Sequence, residues 1–241
     1  AAEAVAARVD GAAPRAAAKP ARLGGAAETV PSPPSLPPLG QRIAVAQDLA
    51  FAFAYPFLLE GWRQAGAEVS QFSPLADEAP DSAADAVYLP GGYPELHAGR
   101  LAANSRFLGG LRDAAARGAV VYGECGGYMV LGRGLEDADG GRHVLAGLLP
   151  LESSFKTPRR HLGYRHARLL TNGPLGAGGA LYRAHEFHYA QVLGSEGAAD
   201  DALFQAASAD GNPAGDAGGR VGQRRGNVMG SFLHLIDQEA G

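Results

Sequence analysis

Between Val120 and Gly132 the chain reads Val-Val-Tyr-Gly-Glu-Cys-Gly-Gly-Tyr-Met-Val-Leu-Gly, and this segment constrains the fold more than any other. An apolar strand runs into Gly123-Glu124-Cys125-Gly126-Gly127, and a helical pattern follows. Glycine at the second position on either side of a reactive residue is the spacing of a nucleophile elbow, here with cysteine in place of serine. A residue on so sharp a strand-to-helix turn has strained backbone angles, and bulky neighbours would collide with it. The glycines therefore fit the turn. A buried, inert cysteine beside a tight turn is the competing reading of the same residue.

The surrounding pattern supplies the frame that an elbow needs. Arg42 to Gln47, Glu68 to Phe72, Ala86 to Leu89 and Ala119 to Tyr122 read as short strands. Between them, Pro56 to Ala65 opens with proline at a helix start, and Arg100 to Arg117 reads as one helix ending at Gly118. This β-α-β alternation predicts an α/β fold, with a central, mostly parallel sheet flanked by helices. After about Leu145 the rhythm changes. His161 to Leu170, Glu186 to Leu193, Ala202 to Ala207 and Asn227 to Leu233 read as strands joined by glycine-rich turns. Antiparallel additions to the sheet are expected in this C-terminal half.

Residues 1–40 have a different character. Ala1 to Val9 suits the last turns of a helix, and Pro31 to Pro38 is too proline-rich to continue a helix or sheet. The expected division is 1–40 as the end of an upstream domain plus a linker, and 41–241 as the domain that carries the elbow.

Composition excludes some functions. A formal charge of -4, from 21 basic and 25 acidic residues, gives no bulk attraction for nucleic acid or anionic lipid. No apolar run is long enough to span a bilayer. The single cysteine cannot form an internal disulfide, which fits a cytoplasmic location. There is no G-x-x-x-x-G-K-[ST] loop, and the two lysines, Lys19 and Lys156, lie in no glycine loop. No cofactor is expected in this chain.

A cysteine nucleophile needs a base, and His234, in Met229-Gly-Ser-Phe-Leu-His-Leu235, follows the last apolar strand. Strand ends carry catalytic groups in such sheets, although a lone histidine there is also a common structural residue. The start of a helix after Cys125 favours thiolate over thiol, and the Gly126 N–H points to where a tetrahedral oxyanion would form. Gly91 and Gly92, after the third strand, can offer a second oxyanion donor or simply make a turn. His185-Glu186-Phe187-His188 is H-E-x-H, not H-E-x-x-H, and on a strand His185 and His188 point to opposite faces. No metal site is expected.

In chain order the segments are PGGYPELH (Pro90 to His97), GECGGYMVLG (Gly123 to Gly132), HEFHY (His185 to Tyr189) and GSFLHL (Gly230 to Leu235). This set resembles the class I-like glutamine amidotransferase domains of the cobyrinic and hydrogenobyrinic acid a,c-diamide synthases of cobalamin biosynthesis. The resemblance covers about Arg42 to Asp237. It implies Cys125 as nucleophile and His234 as the residue that activates it. Gly91, Gly92, Tyr93 and Gly126 would border the oxyanion and the glutamine. It also implies a partner, an N-terminal ATP- and magnesium-dependent synthetase domain of the same polypeptide, which would hold most of the corrinoid substrate. Class I glutaminases place a glutamate two residues beyond the histidine, whereas here that position is Ile236. A Cys–His dyad is therefore expected, with Asp237 pointing elsewhere. The alternatives are the glutaminase of another amide ligase, of the cobyric acid synthase or cell-wall amidating type, a non-catalytic binding module of the same fold, and a thiol hydrolase or chaperone-like relative with the same elbow.

Overall fold

A computed structural model describes residues 36–195, 201–214 and 218–239. The expected helix end and most of the linker fall outside the described residues. The last residues of that stretch pack onto the domain: Leu36 and Leu39 are buried, and the Leu36 carbonyl accepts a hydrogen bond from Trp62 Nε1 at 3.2 Å.

The central sheet is built from β1 (Arg42–Ala46), β2 (Glu68–Phe72), β3 (Ala86–Leu89) and β4 (Val120–Glu124), joined by β13 (Gln223–Arg225) and β14 (Val228–Ser231). Its order is β13-β14-β4-β3-β1-β2. All neighbours are parallel except β13, which runs antiparallel to β14. Alternation along the strands divides the interior into two halves. Ala44 and Ala46 of β1 face one core, with Val87, Leu89 and Val121. Ile43 and Val45 face the other, with Tyr88, Tyr122 and Met229.

Helices cover the first face. The stretch read as one helix is two, α2 (Ala98–Ala103) and α3 (Ser105–Ala116), which follow α1 (Pro56–Gln64). The break falls at Asn104, which leaves the helical region with ψ 82 and donates its side-chain amide to the carbonyls of Pro74 and Leu75. Asparagine competes for backbone partners in this way, and the two bonds to a neighbouring turn outweigh helix continuity. Phe107, Leu108, Leu111 and Ala114 of α3 then form its buried stripe.

On the opposite face lie α1, through Leu58, Leu59 and Trp62, and a second sheet. The C-terminal strands form two sheets of their own more than they extend the first. One has the order β10-β7-β5-β6, from β5 (Gly134–Glu136), β6 (Arg142–Val144), β7 (Leu151–Ser154) and β10 (Gln191–Ser195). The other has the order β12-β11-β8-β9-β15, from β8 (His161–Leu169), β9 (Leu181–His188), β11 (Phe204–Ser208), β12 (Arg220–Val221) and β15 (Leu233–Gln238). Two expected strands are each split. Glu186 to Leu193 divides between β9 and β10, and Asn227 to Leu233 divides at Phe232 between β14 and β15. The second split matters for chemistry, because it puts the elbow and His234 on different sheets, three residues from a shared strand end.

Candidate active site

β4 ends at Glu124, and Cys125 caps α4 (Gly126–Leu131) with φ 49 and ψ -104. A left-handed backbone at a non-glycine residue costs about 1–3 kcal/mol and persists where its surroundings over-determine it. Here they do. The Cys125 N–H donates to the Ser231 carbonyl at 2.8 Å, and a Cβ on Gly127 would stand 2.0 Å from the Leu89 carbonyl oxygen. Glycine at 127 thus lets the helix start press directly on β3.

Cys125 is 4% exposed, and its Sγ lies 3.6 Å from the Phe187 carbonyl of β9. Burial pushes the thiol up to about 12, against the N–H of Gly126 that lowers it, and Glu95, Glu124 and Glu186 raise it further. The expectation of a thiolate at the helix start is therefore corrected. Desolvation in this pocket opposes the thiolate that the short helix α4 was expected to favour.

His234, on β15, is 3% exposed and stacks on His185 of β9 with ring centroids 4.6 Å apart and planes at 7°. The two are cross-strand partners. Burial lowers His234 to about 3, helped by His185 and His188, so the resting ring is neutral. Gly91 brings the pair together. A Cβ there would lie 2.4 Å from His234 Cε1, 3.2 Å from Nε2 and 3.4 Å from Cys125 Cβ. His234 and Cys125 thus flank one glycine.

The turn at Gly91-Gly92 crosses the mouth of the elbow. A Cβ on Gly126 would stand 3.1 Å from the Gly92 nitrogen, so these two backbone segments lie side by side next to Cys125. Tyr93 contributes differently. Its N–H donates to the Ala50 carbonyl at 3.1 Å, and its ring, 47% exposed, meets Phe53 edge-on at 5.0 Å.

Asp237 does turn away, past a register shift at Ile236, into a two-bond pair with Arg183 at 2.7 and 2.6 Å. His185 and His188 also diverge. His185 bonds the Tyr55 hydroxyl beside His234, whereas His188 stacks between Phe232 and His161. His161, Glu186 and His188 place ligand-type atoms within 4.8 Å of one another, a grouping that pairing β8 with β9 creates and that the sequence does not reveal. Both Glu186 oxygens are already engaged, one by His188 at 3.0 Å and one by Arg165 at 2.7 and 2.9 Å. Among the described residues no helix is long and apolar enough to cross a membrane.

The pattern of the CobB/CobQ-like glutamine amidotransferase domain is matched over residues 42–240. The chain belongs to that family. The hydrogenobyrinate a,c-diamide synthase of Sinorhizobium sp. is 61% identical over 206 residues, 84% of this chain and 44% of its own length. Synthases of the same name from Brucella abortus (biovar 1, strain 9-941) and Rhizobium meliloti (strain 1021) are 59% and 56% identical. They cover 84% and 92% of this chain, and 44% and 48% of their own lengths. The chain thus spans about half the length of these relatives. The structure of PurLQS from Thermotoga maritima superposes with a TM-score of 0.56 at 18% identity, over 84% of this chain and 88% of that one. A glutamine amidotransferase from the same organism gives 0.51 at 13%, over 80% and 75%. At such identities the likeness is one of fold.

For an amidotransferase domain, the position of Gly91 carries a direct expectation. Gly91→Ala puts a methyl carbon 2.4 Å from His234 Cε1, so the ring, stacked on His185, has to shift. Glutamine turnover should fall about 10²-fold, the scale of a 1 Å misplacement at a reacting centre. Glutamate release by the full-length protein, beside its thermal melting, measures this; unchanged turnover would show that the ring has room to move.

Proposed function

We propose that this domain hydrolyses glutamine to glutamate and ammonia through Cys125 and His234. The placement of His234 and Cys125 on either side of Gly91, at a strained elbow, is the observation that carries the proposal. The Cys125 sulfur adds to the side-chain amide carbon of glutamine, its proton passes to His234 Nε2, and the carbonyl becomes an oxyanion. Backbone N–H groups of Gly126 and of the Gly91-Gly92 turn border that oxygen. Collapse breaks the carbon–nitrogen bond as His234 returns the proton, and ammonia leaves. Water then adds to the thioester, with His234 again taking a proton, and glutamate and the free thiol result.

The names of the relatives support a role in cobalamin biosynthesis, with hydrogenobyrinic acid preferred to cobyrinic acid as acceptor. In this reading ammonia passes to an N-terminal synthetase domain of the same polypeptide in the cytoplasm. That domain would hold ATP and magnesium, which activate the a and c carboxylates for amidation. The match over only about half of each relative is consistent with a second domain.

An electrophilic glutamine analogue offered to the full-length protein should add its mass to the Cys125 peptide, and glutamine should protect it. Labelling elsewhere, or labelling indifferent to glutamine, would overturn the assignment.

A further inference from the structure

His234 can accept the thiol proton at Nε2 only if its own hydrogen sits on Nδ1, because neutral imidazole carries one N–H. That Nδ1 is buried and has no hydrogen-bond partner among the described residues. A buried N–H without an acceptor costs as much as a lost hydrogen bond, so the useful tautomer needs one. Asp237 cannot serve, since Arg183 holds it. The carboxylate that faces Nδ1 belongs to Glu124, the residue before the nucleophile, with Oε2 3.9 Å away.

Resting on the assignment of His234 as the base, we propose that Glu124 is the positioning residue of this site. Its carboxylate receives the His234 Nδ1–H and so replaces, from the elbow strand, the acid absent at Ile236. A closing movement of about 1 Å brings the two atoms to hydrogen-bond distance.

The surroundings of Glu124 are arranged for a charged group. The side chain is fully buried. Oε2 accepts the Tyr88 hydroxyl at 2.8 Å, and Oε1 accepts the Tyr122 hydroxyl at 2.9 Å and the Leu235 N–H at 3.2 Å. The last bond ties the carboxylate to the residue after His234. Tyr88 and Tyr122 stack on each other at 5.8 Å on adjacent strands, so the sheet fixes both donors. Even so, burial outweighs these three bonds and raises Glu124 from 4.5 to about 7. A folded-state value above the unfolded one means that stability is lost as pH rises from about 4.5 through about 7. The domain therefore keeps an acid here at a cost in stability, as functional sites commonly do.

The titratable groups around the pair are Cys125, Tyr55, Tyr88 and Tyr122, with His185 and His188 from β9. Above about pH 7 the Glu124 carboxylate accepts from Nδ1–H, and Nε2 is open to the thiol proton. Below it the protonated acid donates to Nδ1 instead, which puts the ring hydrogen on Nε2 and blocks the base.

Full-length protein carrying Glu124→Gln tests this, with glutamate release followed across pH. The expected result is a kcat reduced at least about tenfold, and up to ~10⁴-fold, the effect of replacing an orienting acid by its amide. KM for glutamine should hold, and the acid limb near pH 7 should vanish. Amidation with free ammonia and melting at pH 8 should not decline, and Asp237→Asn should keep glutaminase turnover. An unchanged kcat in Glu124→Gln would overturn the proposal. So would a kcat lost together with KM, melting temperature and ammonia-dependent amidation, which would make Glu124 a core residue. Full turnover in His234→Ala would instead remove the reading of His234 as base, so the two failures are distinct.

Discussion

Cys125→Ala is expected to end glutamine hydrolysis, with kcat reduced on the order of 10⁶-fold, the scale on which a hydrolase loses its nucleophile. The size follows from what is removed. Without sulfur there is no thioester, and the remaining backbone donors and binding groups can only polarise the amide toward water. The fold should survive, since alanine meets the same left-handed backbone that cysteine accepts, and the Cys125 N–H still reaches the Ser231 carbonyl. Full-length protein with this change should therefore still form amide from an ammonium salt. Measuring glutamate release and ammonia-dependent amidation on one preparation separates the two. Retained glutamate release would place the nucleophile elsewhere.

His234→Ala should lower turnover by ~10²–10⁴-fold, the range for loss of a general base. The buried thiol, at about 12, is not ionised at neutral pH, so sulfur needs a partner to take its proton during attack. His234, at about 3, is already neutral. No acid limb above pH 5 should therefore be traced to this residue, and the residual rate of the variant should rise with pH as hydroxide or water substitutes for the base. The substitution also leaves His185 without its stacking partner, so melting should be followed beside glutamate release. Turnover within about twofold of the unsubstituted protein would remove His234 from the mechanism.

The elbow was legible because sterics at a single turn dictate glycine at fixed offsets, and Gly127 against the Leu89 carbonyl shows the contact that dictates it. Strands β1, β3 and β4 were legible for a similar local reason, since parallel buried strands read as short apolar runs between helices, whereas β2 is a mostly exposed edge strand. The C-terminal half was not. Alternation along a strand says that one face is buried but not which sheet it joins, so the break at Phe232 left no signal. Asn104 was hidden because its partners, the carbonyls of Pro74 and Leu75, are about thirty positions away. Glu124, beside the elbow cysteine, gives no sign of a role in the sequence. Its significance appears only when β3 and β4 aim Tyr88 and Tyr122 at it and β15 brings His234 alongside.

The pairing of β14 with β4 has a consequence for how the domain comes into being. It joins Val228 to Val121 and Ser231 to Glu124, more than one hundred positions apart. At a synthesis rate of ~5–20 residues per second, β4 emerges from the ribosome about 5–20 s before its neighbour. Over that interval one edge of a central apolar strand lacks its mate, and such non-local pairings are the slow step in forming a sheet. The same delay keeps Cys125 apart from the base proposed for it, because His234 follows β14 directly. A nascent or truncated chain thus carries Cys125 without His234 beside it, and the pair is assembled only with the closing strands.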